Sequence, residues 1–269
     1  MLRVNIVGIG PGNPDLLTGA ARKAVEEANI LIGDKRMLQG FSQTNKKVYT
    51  TIKTKEIAEI AEAADEEKDV IAILVSGDIG FFSLAKTIQG KLPNCDCKRF
   101  AGISSLVYFA SQIEMSWDDA KIVSMHGREQ NLIHAVATNK KVFSLTGGDN
   151  SAHALCKRLT DHGLGDVLVY VGENLSYPEE KITKAKACEI AELTFPSLSV
   201  MMIITEKAKA FEPRVHGLAD ELFLRTKVPM TKQEVRAVSM SKLQPKATDY
   251  IYDIGAGTGS CSIELDLLA

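Results

Sequence analysis

A run of six consecutive apolar residues, Val70–Val75, constrains the fold more than any other feature of the sequence. A strand that is apolar at every position must be covered on both faces, which is typical of a parallel sheet flanked by helices. Shorter apolar runs occur before and after it, separated by stretches with helical spacing. This alternation predicts an α/β architecture.

The same pattern predicts the other elements and their grouping into lobes. Strands are expected at Leu2–Ile9, Ile30–Ile32, Ile122–Ser124, Val142–Leu145, Val167–Val171, Ile182–Ala185 and Ser199–Ile204. Helices are expected at Asn13–Ala28, Thr54–Asp65, Phe81–Leu92, Ser104–Ile113, Glu129–Thr138, Ser151–His162 and Cys188–Leu193. We expect an N-terminal lobe over residues 1–115, a C-terminal lobe over 116–205 with a hinge near Glu114–Asp119, and a linker over 206–228.

Composition excludes several classes of protein. The net charge is -2, which disfavours a nucleic-acid binder held by bulk electrostatics. The apolar runs are far shorter than the ~18 residues that a membrane span needs, and the N-terminus does not have the pattern of a signal peptide. The five cysteines are scattered, as in a reduced cytoplasmic protein, and no metal site is expected.

Three glycine-containing turns lie in the N-terminal lobe, two of them directly after predicted strands and the third directly before a predicted helix. They are Gly8-Ile9-Gly10-Pro11-Gly12, Ser76-Gly77-Asp78 and Ala101-Gly102-Ile103-Ser104-Ser105. Ligands of open α/β sheets bind at the carboxyl ends of the strands, and glycine lets a ligand approach the backbone. The alternatives are a plain tight turn for the first motif and helix capping by Asp78, Ser104 or Ser105.

Two polar loops follow predicted strands of the C-terminal lobe. Met125-His126-Gly127-Arg128 places an imidazole and a guanidinium on one loop, which suits carboxylate recognition. The run from Gly172 to Glu180 follows a buried strand, and Ser176 with Glu179 also fits a capping box. A solvated turn and a capped loop are the respective alternatives.

The last forty residues predict the beginning of another domain. Thr231-Lys232-Gln233-Glu234 fits a capping box that opens an amphipathic helix through Leu243. Tyr250–Ile254 is predicted to be a strand, followed by Gly255-Ala256-Gly257-Thr258-Gly259, a nucleotide-binding pattern. We expect residues 229–269 to be the start of a truncated domain that forms no independent cofactor site.

Taken in order, these motifs resemble the tetrapyrrole methylase family of S-adenosylmethionine-dependent enzymes over about residues 1–205. The Ser124–Arg128 and Gly172–Glu180 runs resemble the cobalamin-pathway branch that methylates carbon 5 of a precorrin. The tail resembles the companion carbon-15 methyltransferase and decarboxylase, and the tandem resembles the precorrin C(5,15)-methyltransferases. One departure is Ile79, where the family usually has proline after Gly-Asp.

The resemblance implies a two-lobed tetrapyrrole methylase fold with an inter-lobe cleft, followed by an incomplete Rossmann-like methyltransferase segment. It implies S-adenosylmethionine as cofactor, a precorrin-type tetrapyrrole as substrate and a homodimer. The implied cofactor-binding residues are Pro11, Gly77, Asp78, Phe81, Ser104, Ser105, Thr146, Asn174, Leu175 and Ser199, with Thr231, Gly255, Ala256, Gly257, Thr258 and Gly259 in the second domain. Lys35, Arg36 and Arg128 are candidates for the substrate's carboxylates, and His126 for a base.

Three other functions are compatible with part of this pattern. A methylase of the same fold could act on another precorrin carbon, on a protein or on ribosomal RNA, although RNA would call for a basic stripe. An NAD-dependent oxidoreductase is disfavoured because Asn13 breaks the dinucleotide fingerprint. A non-catalytic scaffold for the tail is the third.

Overall fold

The computed structural model describes residues 1–41, 45–126, 130–208, 216–224, 227–246 and 248–268. The chain forms two compact units, Met1–Lys209 and Ala210–Ala269. The first unit contains two five-stranded sheets with helices around them, which confirms the predicted two-lobed α/β fold. Within the described residues, none of the helices has the length and apolar character needed to span a membrane.

The strands are named in chain order. They are β1 Arg3–Gly8, β2 Ile30–Gly33, β3 Lys47–Thr50, β4 Val70–Val75, β5 Asp96–Phe100, β6 Lys121–Ser124, β7 Lys141–Leu145, β8 Leu168–Glu173, β9 Lys181–Lys186 and β10 Ser199–Ile204. The helices are α1 Gly19–Glu27, α2 Lys35–Leu38, α3 Thr54–Glu62, α4 Ala85–Gly90, α5 Ser105–Gln112, α6 Leu132–Thr138, α7 Ala152–Asp161, α8 Ala187–Ile190, α9 Gln233–Leu243 and α10 Ser260–Asp266. Short 3-10 turns lie at Pro14–Leu16, Gln39–Phe41 and Asp220–Leu222.

The sheet of the first lobe has the strand order β3-β2-β4-β1-β5, and its strands are parallel. β4 lies in the middle, and its six residues are all buried. Ile71, Ile73 and Val75 belong to the core on one face, whereas Val70, Ala72 and Leu74 belong to the core on the other. The uninterrupted apolar run is therefore explained by burial on both faces, as predicted.

The sheet of the second lobe has the order β6-β7-β10-β8-β9 and is mixed, with only β6 and β7 parallel among its pairs. One face packs on α6, α7 and α8. The other face packs on α5, because Leu106 and Phe109 form one cluster with Phe143, Val200 and Met202. Helix α5 thus joins the two lobes through a shared core.

Two predicted helices are shorter than expected. The predicted helix from Asn13 to Ala28 is instead a 3-10 turn, capped by the Asn13 side chain, followed by α1, because Leu17 is extended and the Thr18 side chain caps a new helix. The predicted helix from Phe81 begins only at Ala85, since Phe82 adopts a left-handed backbone with φ of 50°. Strands β3 and β5 were not predicted, because both are edge strands in which three residues are exposed.

The second unit is organised around a buried arginine. Arg236 on α9 is fully buried and pairs with Glu264 on α10 (Nε to Oε1, 2.9 Å) and with Asp220 (Nη1 to Oδ1, 2.7 Å). Its guanidinium also lies 4.5 Å from the centroid of the Phe223 ring. Burial disfavours the charged form, but the bonds to Glu264 and Asp220 outweigh it, so the pKa of Arg236 is raised.

Two predictions for this unit are wrong. The predicted capping box at Thr231 does not form, because Lys232 is the N-cap and its side chain makes no capping bond. Tyr250–Ile254 is not a strand: the described residues offer it no neighbouring strand, and the side chains of Tyr250 and Ile254 are more than nine-tenths exposed. The backbone N–H and C=O groups of a strand form hydrogen bonds with a neighbouring strand, and without one they bond to water instead.

Candidate functional site

The three glycine-containing turns of the first lobe meet at the carboxyl ends of three adjacent strands, β4, β1 and β5. The backbone amides of Gly10 and Gly77 each donate a hydrogen bond to the carbonyl oxygen of the other residue, with N to O distances of 3.1 and 2.9 Å. A Cβ atom on Gly102 would lie 2.3 Å from the Gly77 oxygen and 2.5 Å from the Gly8 oxygen. Glycine is needed here because the three turns pack backbone against backbone.

This packing changes the role of Gly77. Its amide already donates to Gly10, so what it gives the site is the absence of a side chain rather than a free N–H group. Its φ of 67° lies in the left-handed region that glycine favours. A β-branched residue at position 77 would therefore strain the backbone, whether or not a ligand approaches.

Asp78 and Ser104 hold these turns in shape. The Asp78 carboxylate accepts hydrogen bonds from the Gly80 and Gly102 amides at 2.8 and 3.2 Å. Ser104 is buried, and its hydroxyl accepts from the Val107 amide at 3.2 Å as the N-cap of α5. The capping alternative is thus confirmed for Ser104. For Asp78 it is wrong, because α4 starts at Ala85 with Leu84 as its N-cap.

A cavity of about 340 Å³ lies between the two lobes beside these turns. Nine residues that the sequence analysis singled out line it: Pro11, Arg36, Gly77, Phe81, Ser105, His126, Thr146, Leu175 and Ser199. Asp78, Ser104, Asn174 and Lys35 are outside the lining, and Lys35 is exposed at the start of α2. Arg128 lies outside the described residues.

Several lining residues were missed from the sequence. Thr51 and Ile52 follow β3, the edge strand whose exposed sequence gave no signal. Phe82 and Leu84 lie in the segment that was assigned to a helix. A correct prediction of β3 and of the start of α4 would have indicated that these four residues lie at the same edge of the sheet as the three glycine-containing turns.

His126 lies where the C-terminal lobe meets the cavity. It is exposed, and its Nδ1 atom lies 3.3 Å from the Thr146 carbonyl oxygen. A carbonyl can only accept, so this contact favours the tautomer with the proton on Nδ1 and the lone pair on Nε2. The Thr146 hydroxyl donates to the Ser199 carbonyl at 2.7 Å and fixes the neighbouring strand ends.

The loop between β8 and β9 is not a capped helix, so the capping-box alternative is wrong. Asn174 and Ser176 both adopt left-handed backbone, with φ of 46° and 70°. The Ser176 amide donates to the Glu180 carboxylate, which also accepts from the Tyr108 hydroxyl at 2.8 Å. Burial of Tyr108, and then its bond to Glu180, raises the pKa of Tyr108 to about 12.

The predicted second-domain residues lie in the second unit. Gly255, Gly257 and Gly259 all have positive φ, at 80°, 58° and 74°. Other residues rarely adopt this backbone conformation, which explains why glycine occupies each of the three positions. Gly259 is the N-cap of α10. Ala256 and Thr231 are exposed, and Thr258 is half-buried. The Thr231 carbonyl accepts a bond from Arg236.

Residues 222–269 match the model of the precorrin methyltransferase domain. A precorrin-6Y C(5,15)-methyltransferase [decarboxylating] from Sinorhizobium sp. is 26% identical over 265 residues, covering 97% of this chain and 64% of that relative. The chain therefore spans about two thirds of the length of this relative.

Residues 3–191 match the model of the tetrapyrrole (corrin/porphyrin) methylases. A probable cobalt-precorrin-7 C(5)-methyltransferase from Methanocaldococcus jannaschii is 35% identical over 204 residues, covering 73% of this chain and 95% of that relative. The structure of uroporphyrin-III C-methyltransferase from Thermus thermophilus, complexed with S-adenosylhomocysteine, has a TM-score of 0.60 at 22% identity and covers 75% of this chain and 96% of that one. On the family match and on the archaeal relative, the chain belongs to the tetrapyrrole methylases.

Proposed function

We propose that this protein is an S-adenosylmethionine-dependent C-methyltransferase that acts on carbon 5 of a precorrin or cobalt-precorrin in corrin biosynthesis. The observation that carries the proposal is the inter-lobe cavity at the strand ends, lined by nine residues that the sequence analysis singled out. The relative from Methanocaldococcus jannaschii, a probable C(5)-methyltransferase that matches over 204 residues, supports the choice of carbon 5.

The cavity suits a cofactor with both apolar and polar parts. Its volume falls within the ~300–1,000 Å³ typical of small-molecule sites. Phe81, Leu145 and Leu175 provide apolar wall, and Ser105 contributes a hydroxyl. S-adenosylmethionine would supply a methyl group on a cationic sulfur. The chain's part is to align the acceptor carbon and to exclude water, since alignment is worth up to about 7–11 kcal/mol in model reactions.

His126 and Arg36 are our candidates for the substrate side of the cavity. With its proton held on Nδ1, His126 offers Nε2 to take the proton that the methylated carbon must lose. Replacement of His126 by glutamine would then lower the rate at saturating substrate and leave cofactor affinity unchanged. Arg36 would bind a substrate carboxylate; Lys35 and Arg128 stay predictions from the sequence.

The reaction product tests the function. We expect the 269-residue chain, given S-adenosylmethionine and a precorrin with an unmethylated carbon 5, to add one methyl group without releasing carbon dioxide. We expect a single methylation because a second cofactor site would need a sheet. Tyr250–Ile254 forms no strand, and the glycine turn that follows it does not extend from a sheet in the described residues. Mass spectrometry of the product decides. Two methyl groups with decarboxylation would show that residues 229–269 do form an active site.

A steric block tests the location of the cofactor. Ser105→Val should fill space in the cavity and weaken S-adenosylhomocysteine binding by about tenfold, or about 1.4 kcal/mol. Ser111→Val, on the exposed side of the same helix, is the matched control and should bind as the wild type does. Calorimetry measures both. Equal affinity of all three proteins would remove the cofactor from this cavity, and binding of NAD instead would favour an oxidoreductase.

The homodimer, the cytoplasmic location and the absence of nucleic-acid and membrane partners remain predictions from the sequence.

A further inference from the structure

The segment Ser176–Glu180 of the second lobe forms three hydrogen bonds with the first lobe. Each involves a different element of that lobe: the first-strand turn, helix α2 and helix α5. The pairs are the Asn13 amide to Ser176 Oγ at 3.0 Å, Arg36 Nη1 to Tyr177 Oη at 2.7 Å, and Tyr108 Oη to Glu180 Oε2 at 2.8 Å. Of the residues in these pairs, Arg36 lines the cavity.

Tyr177 contacts both Gly12 and Arg36 of the first lobe. A Cβ atom on Gly12 would lie 2.3 Å from the Tyr177 ring, so the ring occupies the space that a side chain at position 12 would take. The guanidinium carbon of Arg36 lies 5.7 Å from the centroid of the same ring. The third glycine of the first turn therefore makes room for this ring, rather than for a ligand.

Arg36 is a half-buried cation at the cavity wall. Among the described residues no carboxylate forms a salt bridge with it, and its side chain is bound by the neutral Tyr177 hydroxyl. A guanidinium has five donors in a planar fork, and this bond uses one of them. The rest of the fork suits bidentate binding of a carboxylate.

We propose that Tyr177 is a positioning residue that holds the Arg36 guanidinium toward the cavity, where it binds a carboxylate side chain of the tetrapyrrole. The proposal rests on the proposed function for the identity of the substrate. Because the hydroxyl of Tyr177 fixes one arm of the fork, the remaining donors are presented in one orientation, and less freedom is lost when the carboxylate binds.

A double-mutant cycle tests the link between the two residues. Tyr177→Phe keeps the ring against Gly12 and removes the hydroxyl; we expect precorrin binding to weaken about two- to tenfold, as for the loss of one hydrogen bond. Arg36→Met should weaken it more. The double variant should bind precorrin no worse than Arg36→Met alone, because the hydroxyl acts only through the guanidinium. Absorbance titration measures precorrin affinity, and calorimetry measures S-adenosylhomocysteine affinity, which should stay unchanged.

Tyr108→Phe is the matched control, because it removes the hydroxyl of another inter-lobe bond and Tyr108 does not line the cavity. It should lower the melting temperature about as much as Tyr177→Phe and leave precorrin affinity within about twofold. The proposal is overturned if both tyrosine variants weaken precorrin binding equally, or if the losses from Tyr177→Phe and Arg36→Met simply add.

Two outcomes separate this inference from the function on which it rests. A wild-type protein that binds neither precorrin nor S-adenosylhomocysteine would overturn both. A wild-type protein that binds and methylates precorrin, with Tyr177→Phe binding equally well, would overturn only the role of Tyr177. If Arg36→Met does not fold, Arg36→Lys takes its place in the cycle, since lysine keeps the charge but cannot reproduce the fork.

Discussion

Alanine at position 102 should destabilise the first unit by about 3 kcal/mol or more. The added Cβ would lie 2.3 Å from the Gly77 oxygen, 2.5 Å from the Gly8 oxygen and 2.6 Å from the Gly8 carbonyl carbon. All three are backbone atoms, so no side chain can rotate away. Relief requires the turns after β1, β4 and β5 to separate, which would also disrupt the cavity wall at Gly77. Urea unfolding measures the loss.

Gly19→Ala is the control for this substitution. Gly19 is the first residue of α1, and a Cβ there would meet nothing within 4 Å. Alanine should leave stability unchanged or raise it by about 0.4–1 kcal/mol, because it restricts the unfolded chain. If Gly102→Ala unfolds at the same urea concentration as Gly19→Ala, the backbone packing of the three turns is not what requires glycine.

Arg236→Met should unfold much of the second unit. It would remove the guanidinium that pairs with the fully buried Glu264 carboxylate and with the mostly buried Asp220, and breaking a buried pair in this way costs about 3–5 kcal/mol. The whole stability of a unit of this size is about 3–9 kcal/mol. Hydrogen exchange of the α9 amides should therefore lose most of its protection, while the protection of β4 in the first unit remains.

The matched control is Lys242→Met, which removes an exposed cation from the same helix. It should leave the exchange of α9 unchanged, because exposed charges contribute about 0–1 kcal/mol. Equal protection in Arg236→Met and Lys242→Met would show that apolar contacts such as those of Met240 and Leu265 suffice to hold the unit.

Prediction from the sequence works best for elements whose residues are mostly buried, because burial requires a recognisable apolar pattern. β4 was predicted because every residue is buried, and β10 because five of its six residues are. β3 was missed because it is an exposed edge strand, and the helix from Asn13 was overextended because Thr18 provides a second capping site. In the second unit, Arg236 is fully buried because it pairs with Asp220 and Glu264, which are distant in the chain, and no local pattern indicates such pairing.

The cavity lies at the strand ends where the sequence predicts the candidate site, but several residues there have roles that the sequence does not indicate. Strand-end turns predicted where the cavity lies, because parallel strands bring their carboxyl ends to one edge. The roles of the glycines depend on contacts between distant parts of the chain, such as Gly102 against Gly77 and Gly12 against Tyr177. No local pattern encodes such contacts. Ser104 and Asp78 are candidate cofactor ligands, and the structure gives their oxygens backbone partners: Ser104 accepts from the Val107 amide in α5, and Asp78 accepts from the Gly80 and Gly102 amides.

The fit of the Tyr177 ring against Gly12 also means that the two lobes are not interchangeable modules. A chimera that joins the first lobe of this chain to the second lobe of another tetrapyrrole methylase would need to match the residue at position 12 with the one at position 177. A side chain at position 12 would displace the Tyr177 ring from its present place, unless a smaller residue stood at 177. These two positions, far apart in the chain, therefore restrict which halves of the family can be recombined.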